Sequence, residues 1–332
     1  MIVRMLKLSD KSKRFFTELR FAYFGTGEFA VRPLEKLLEV GARPLVVITT
    51  PDAPAGRERK LTPSPIGIAA AAHGCAVQQP EKLDEAFAHA FTKLKPDVAL
   101  LADYGKIVPS RVLAIPRLGF LNIHPSLLPK YRGATPLQGA LLDGTAETGV
   151  TIINMDEKID HGPVVARQKT ALRAHETAAT LEKRLAALGG QMLLRTLPRY
   201  MKGNIVPVPQ RDDDATFTRL LGREDGKLSF AHSAAELERR VRAFTPWPGT
   251  YAVWKTPDGE KRLRILEAKA AQAPKTLGET SCGTVLAENG TLRIVTAQGL
   301  LEIYLLQLEG KTPVTPKDFL NGYPGIEGTV LL

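Results

Sequence analysis

Cysteine is nearly absent. Cys75 and Cys282 are the only two in 332 residues, too few for a disulfide framework or a cysteine-built metal cluster. A reducing cytoplasm suits such a chain. Long apolar runs are missing as well: none reaches the ~18 residues that cross a bilayer, so no membrane partner is expected. The first twenty residues, MIVRMLKLSDKSKRFFTELR, lack the apolar stretch of a secretory signal. They are basic and could form an amphipathic helix, which leaves a mitochondrial presequence open beside a short disordered extension or a start codon set too early. No internal repeat, low-complexity tract or metal-ligand spacing occurs, and no metal is expected.

What is present is an ordinary globular composition, 44% hydrophobic and 24% charged, long enough for one large and one smaller domain. The formal net charge of +10 points to an acidic partner. Its distribution is uneven. Residues 211–332 carry 16 basic and 16 acidic side chains, so the whole excess lies in the first 210. The first twenty supply part of it, with six basic and two acidic residues. Any basic patch on the C-terminal part must come from arrangement.

Residues 21–201 alternate between short apolar runs and helical periodicity. Strands are expected at 21–24, 45–49, 75–78, 98–102, 119–123, 149–155 and 164–168, with helices between them and a long one over 176–201. This pattern predicts a doubly wound, mostly parallel α/β sheet, Rossmann-like, with ligands beyond the carboxyl ends of its strands. Residues 203–217 are polar, proline-broken and without periodicity, and read as a linker. One helix and about five short β-type runs follow, which suggests a small β-barrel, an oligonucleotide-binding-like barrel being one option. The expected layout is an extension over 1–20, a catalytic domain over 21–202, the linker, and a smaller domain over 218–332.

Four motifs carry chemistry. GTGEFA (25–30) satisfies the looser dinucleotide fingerprint, with Asp52 as a late candidate for the ribose acid; the signal is weak, and a tight strand-to-helix turn is the bland reading that outweighs it. In LNIHPSLLPKYRGATP (121–136), side chains alternate along the strand, so Asn122 and His124 emerge together at its carboxyl end. An amide donor and an imidazole so placed can polarise a carbonyl and stabilise an oxyanion. The bland reading makes Asn122 a loop cap and His124 a backbone partner. Asp160, in NMDEKIDHGPVV, could orient His124, hold a water or take a proton, or could be plain turn chemistry. A hydrolase triad of Ser126, His124 and Asp160 is disfavoured, because no nucleophile elbow is present. Finally, Arg57, Arg59 and Lys60 sit in the proline-rich loop 51–65, where they could touch phosphates or simply face water. TPWPG (245–249) reads as a proline-fixed aromatic turn.

Taken together, FGTGEFA, PDAPAGRERKLTPSP, ADYGKIVP, LNIHPSLLPKYRGATP, MDEKIDHG and AFTPWPG resemble the methionyl-tRNA formyltransferase family from about residue 21 to 319. The resemblance implies 10-formyltetrahydrofolate as co-substrate and Asn122, His124 and Asp160 as catalytic residues. It places Ser126, Leu127, Leu128 and Pro129 against the folate, with Asp103, Tyr104, Gly105 and Ile107 in the pterin pocket. It also removes the nicotinamide reading of GTGEFA. The wider superfamily shares the trio, and formylation of an amino-sugar nucleotide is the alternative activity. The arginine-bearing loop favours initiator Met-tRNA, with Arg57 the leading tRNA contact and Lys60 the weaker, in a monomeric cytoplasmic enzyme. Lys158 stands where the family usually has Gly, His161 where it has Thr or Ser, and Asp103 where Ala is common.

Overall fold

The computed structural model describes residues 10–55, 60–274 and 280–332. They form two compact units. The first comprises the described residues up to 136, with 147–171 and 182–218; the second comprises 137–146, 172–181 and 219–332. Strands of the first unit are β1 (Phe21–Gly25), β2 (Val46–Ile48), β3 (Ala53–Ala55), β4 (Lys60–Thr62), β5 (Val77–Gln78) and β6 (Val98–Ala102). They continue with β7 (Phe120–His124), β8 (Arg132–Gly133), β9 (Glu147–Asn154), β10 (Val164–Ala171) and β11 (Phe217–Thr218).

Seven of them make one sheet in the order β10-β9-β7-β6-β1-β2-β5. The five from β7 to β5 run parallel, while β9 and β10 add an antiparallel edge. Every residue of β1, β6 and β7 is buried, as expected for strands covered on both faces, which is why they read as unbroken apolar runs. On one face, Phe24 lies at the centre of an aromatic group, 5.6 Å from Phe91, 5.3 Å from Tyr104 and 5.0 Å from Phe120 between ring centroids. On the other, the helix Ala178–Met201 buries Leu185, Leu193 and Leu197, and its Gly189 approaches Ile123 of β7. The chain runs outward from β1 to β2 and β5, then returns to β6 on the opposite side of β1. That reversal puts the crevice of such sheets at the carboxyl ends of the central strands.

The described part of the first twenty residues is not a disordered extension: Asp10–Glu18 is a helix whose Phe16 is fully buried. Arg20 donates to the carbonyls of Leu94 and Lys95. The segment 203–217, read as a linker, belongs to the first unit. Val208 exchanges both backbone hydrogen bonds with Val164 at the start of β10, and β11 pairs with β8. Its lack of periodicity reflects a strap satisfied by backbone and polar side-chain bonds rather than by an apolar face.

The second unit is an antiparallel half-barrel of β12 (Thr250–Thr256), β13 (Gly259–Ala271), β14 (Val285–Glu288), β15 (Thr291–Val295) and β16 (Leu300–Leu308), in the order β12-β13-β16-β15-β14. The helix Ala234–Ala243, started by a Ser233–Glu236 capping box, buries Leu237 and Val241 in the same core. Residues 328–332 reach both sheet edges. Leu332 exchanges hydrogen bonds of 2.7 and 2.9 Å with Val253 on β12, and Leu331 donates to Gly283 beside β14. Among the described residues no helix is long and apolar enough to cross a membrane. Replacing Phe16 by Ala is expected to cost about 3–5 kcal/mol of stability, the usual range for a fully buried aromatic; chemical denaturation of the intact chain measures it.

Candidate active site

β7 is held between parallel β6 and antiparallel β9, with Asn122 opposite Leu101 on one side and Ile153 on the other. Asn122 and His124 share a face and are almost wholly buried, at 7% and 5% exposure. Buried polar groups need partners, and these converge on a single carboxylate. Asn122 Nδ2 donates to Asp160 Oδ1 at 3.1 Å, and His124 Nδ1 lies 3.6 Å from the same oxygen. The second oxygen, Oδ2, accepts from the Gly133 N–H at 2.8 Å. His124 Nε2 is 3.0 Å from the Tyr131 carbonyl, which can only accept, so Nε2 carries a proton. Asn122 has a second amide hydrogen beyond the one that Asp160 takes.

Two left-handed residues build this geometry. Asp160 has φ 47°, tolerable for Asp at a turn. Tyr131 has φ 61°, a conformation that costs a bulky side chain on the order of 1–3 kcal/mol and persists only where the surroundings over-determine it. Here its N–H donates to Thr216 Oγ1 and its carbonyl meets His124. Gly162 closes the turn after Asp160. A Cβ there would fall 1.9 Å from the Asn154 carbonyl oxygen, so no larger residue fits.

Ser126 is fully buried and donates to the Lys130 carbonyl at 2.6 Å, which removes it as a nucleophile and ends the triad reading. Leu128 is also fully buried, while Leu127 and Pro129 are partly open. The backbone of this loop is pinned by Thr151, whose hydroxyl accepts from the Leu128 N–H and donates to the Ser126 carbonyl. After β6, Asp103, Gly105 and Ile107 are exposed, and Tyr104 is buried against Phe24. The GTGEFA turn meets Asp103: Thr26 N–H donates to its carbonyl at 2.8 Å, and a Cβ on Gly27 would fall 1.9 Å from its carboxylate. A negative group at that turn is incompatible with a pyrophosphate. Asp52, the supposed ribose acid, accepts from Gln79. Lys60 lies exposed on β4, and Arg57 lies outside the described residues.

Sequence reasoning missed four residues that brace the site. Arg132, only 4% exposed, donates to Gln210 Oε1 and to Asp212 Oδ1. Gln210 Nε2 donates in turn to the carbonyls of Asp160 and Gly162, both at 2.8 Å. Thr216 completes the set. Only Arg132 lay within a motif, and the rest sat in the stretch without periodicity.

Comparison with known proteins bears on this geometry. Residues 19–197 match the formyl transferase family and residues 220–324 match the formyl transferase C-terminal domain. Methionyl-tRNA formyltransferase of Halorhodospira halophila is 43% identical over 91% of this chain and 96% of its own length. The chain belongs to the methionyl-tRNA formyltransferase family. Among solved structures, an N-formyltransferase from Helicobacter canadensis complexed with folinic acid and dTDP-3-aminofucose shares the fold at TM-score 0.62 and 17% identity, over 86% of this chain and 98% of that one. HypX from Aquifex aeolicus in complex with tetrahydrofolic acid shares it at TM-score 0.62 and 17% identity over 94% of this chain, which spans only 48% of HypX.

One carboxyl group in this unit is far from its ordinary value. Glu182 is pushed up to about 7, first by burial and then by the charges of Asp103 and Glu28. The raised value means that ionised Glu182 disfavours the folded state, so stability falls as pH climbs from about 4.5 through about 7. Glu182→Gln is therefore expected to raise the melting temperature by a few degrees at pH 8 and by much less at pH 5, as thermal unfolding at the two pH values will show.

Proposed function

We propose that Asn122, His124 and Asp160 form the reaction centre of a methionyl-tRNA formyltransferase, which moves the formyl group of 10-formyltetrahydrofolate to the α-amine of methionyl initiator tRNA. The observation that carries this reading is the convergence of an amide and an imidazole on one carboxylate at the carboxyl end of a central strand. Family membership supplies the formyl chemistry, and the 43% identity to a methionyl-tRNA formyltransferase favours charged tRNA over the amino-sugar nucleotide of the 17% identical neighbour. Folinic acid and tetrahydrofolic acid in two fold neighbours support a folate co-substrate.

The α-amine of the methionyl group attacks the formyl carbon. As the C–N bond forms, the carbonyl oxygen gains negative charge; the spare Asn122 N–H donates to it, and the His124 Nε2–H turns to it from the Tyr131 carbonyl. Asp160 keeps both side chains turned to that oxygen and relays the amine proton toward the folate nitrogen, which leaves when the tetrahedral adduct collapses. The loop of residues 126–129 and the exposed Asp103, Gly105 and Ile107 border the folate. Arg57 and Lys60 neutralise phosphates of the acceptor arm, so binding weakens with salt. The product feeds translation initiation in the cytoplasm, and the enzyme acts as a monomer.

Incubation with 10-formyltetrahydrofolate and charged initiator or elongator tRNA tests the reading. Formylation of initiator Met-tRNA is expected, and its absence contradicts the proposal. His124→Ala should lower kcat by at least ~10²-fold, in line with the loss of an oxyanion donor. Arg57→Ala should raise KM for tRNA several-fold with KM for folate unchanged; the amino-sugar alternative instead predicts that Arg57→Ala leaves activity on its own small substrate intact.

A further inference from the structure

The Asp160 turn is tied down from two sides. Gln210 holds its backbone from one, through the carbonyls of Asp160 and Gly162. On the other stands His161, next in sequence to Asp160. Its Nδ1 lies 2.5 Å from Asp156 Oδ2, at the entry of the same turn, where Asp156 Oδ1 also accepts the Lys158 N–H. Its Nε2 faces Asp212 Oδ2 at 3.4 Å. Asp212 is bound through its other oxygen to Arg132, whose guanidinium, with His161 adding to it, holds the Asp212 carboxyl below the usual carboxylate range. Arg132 donates to Gln210, and the circuit closes: turn, His161, Asp212, Arg132, Gln210, turn.

We propose that His161 is a positioning residue that, by bridging Asp156 and Asp212, locks the Asp160 turn against the 210–212 segment and holds the Asp160 carboxylate toward Asn122 and His124. The inference rests on the formyl-transfer reading of that site. The physical case is one of constraint. A left-handed, non-glycine Asp160 is kept in register only by what surrounds it, and a small misplacement of a group that orients others costs much more in rate than in binding. His161 itself is 29% exposed by its side chain and touches neither Asn122 nor His124 by any bond the structure shows.

The decisive experiment is steady-state formylation by the full chain carrying His161→Ala, with separate KM values for folate and tRNA. The expected result is a kcat about tenfold lower with both KM values within about twofold of the unsubstituted enzyme, and recovery of most of the loss in His161→Gln, whose amide can still donate. Gln210→Ala cuts the same circuit on its other side and should give the same kcat-only loss, which keeps the test decisive if His161→Ala folds poorly. Unchanged kcat in either Ala variant that folds, or a loss shared between kcat and both KM values, overturns the inference while leaving formyl transfer intact. An unsubstituted enzyme that does not formylate overturns both.

Discussion

The Asp160 carboxylate is the constraint on which the rest of the site depends. One oxygen is shared by Asn122 and His124, and the other is taken by the Gly133 N–H. A carboxylate satisfied in this way fixes the rotation of two neighbouring polar side chains at once, so in the proposed reaction the direction in which the amide and imidazole face is set before substrate arrives. Preorganised donors of this kind stabilise developing charge without reorganising during the reaction, and that is where enzymes gain most over water.

The fold supplies Asp160 with its partners by three routes. β7 brings Asn122 and His124 to one strand end because alternate residues share a face. The connection between β9 and β10 carries Asp160, in a turn so tight that Gly162 leaves no room for a side chain. The strap of residues 203–218 then returns across the site and contributes Gln210, Asp212 and Thr216. Of these three, the strap is the least expected contributor. It has no apolar face, and it is anchored by the two backbone bonds of Val208 and by the short β8–β11 ladder.

Much of this was legible in the sequence. The apolar runs of the central strands marked a parallel sheet because burial on both faces leaves no alternation. Placing Asn122 and His124 side by side required only the two-residue period of a strand. Asp160 could be named through the family resemblance, yet its contact with Asn122 spans 38 positions and nothing local announces it. The strap was misread as a linker for a physical reason: backbone pairing and side-chain-to-backbone bonds leave no periodic trace, whereas packing does. For the N-terminal twenty the sequence left an amphipathic helix and a disordered extension both open; the described part is a helix, and its buried Phe16 was hidden among Lys and Arg.

If Asp160 acts by orienting Asn122 and His124, its loss and the loss of Asn122 must not be independent. The most direct measurement is single-turnover formylation of initiator Met-tRNA by Asn122→Ala, Asp160→Asn and the double variant. Coupled groups give a double variant about as slow as the slower single one, with an interaction energy of roughly 1 kcal/mol or more. A double variant whose loss equals the product of the two single losses would contradict the claim that the three side chains work as one unit.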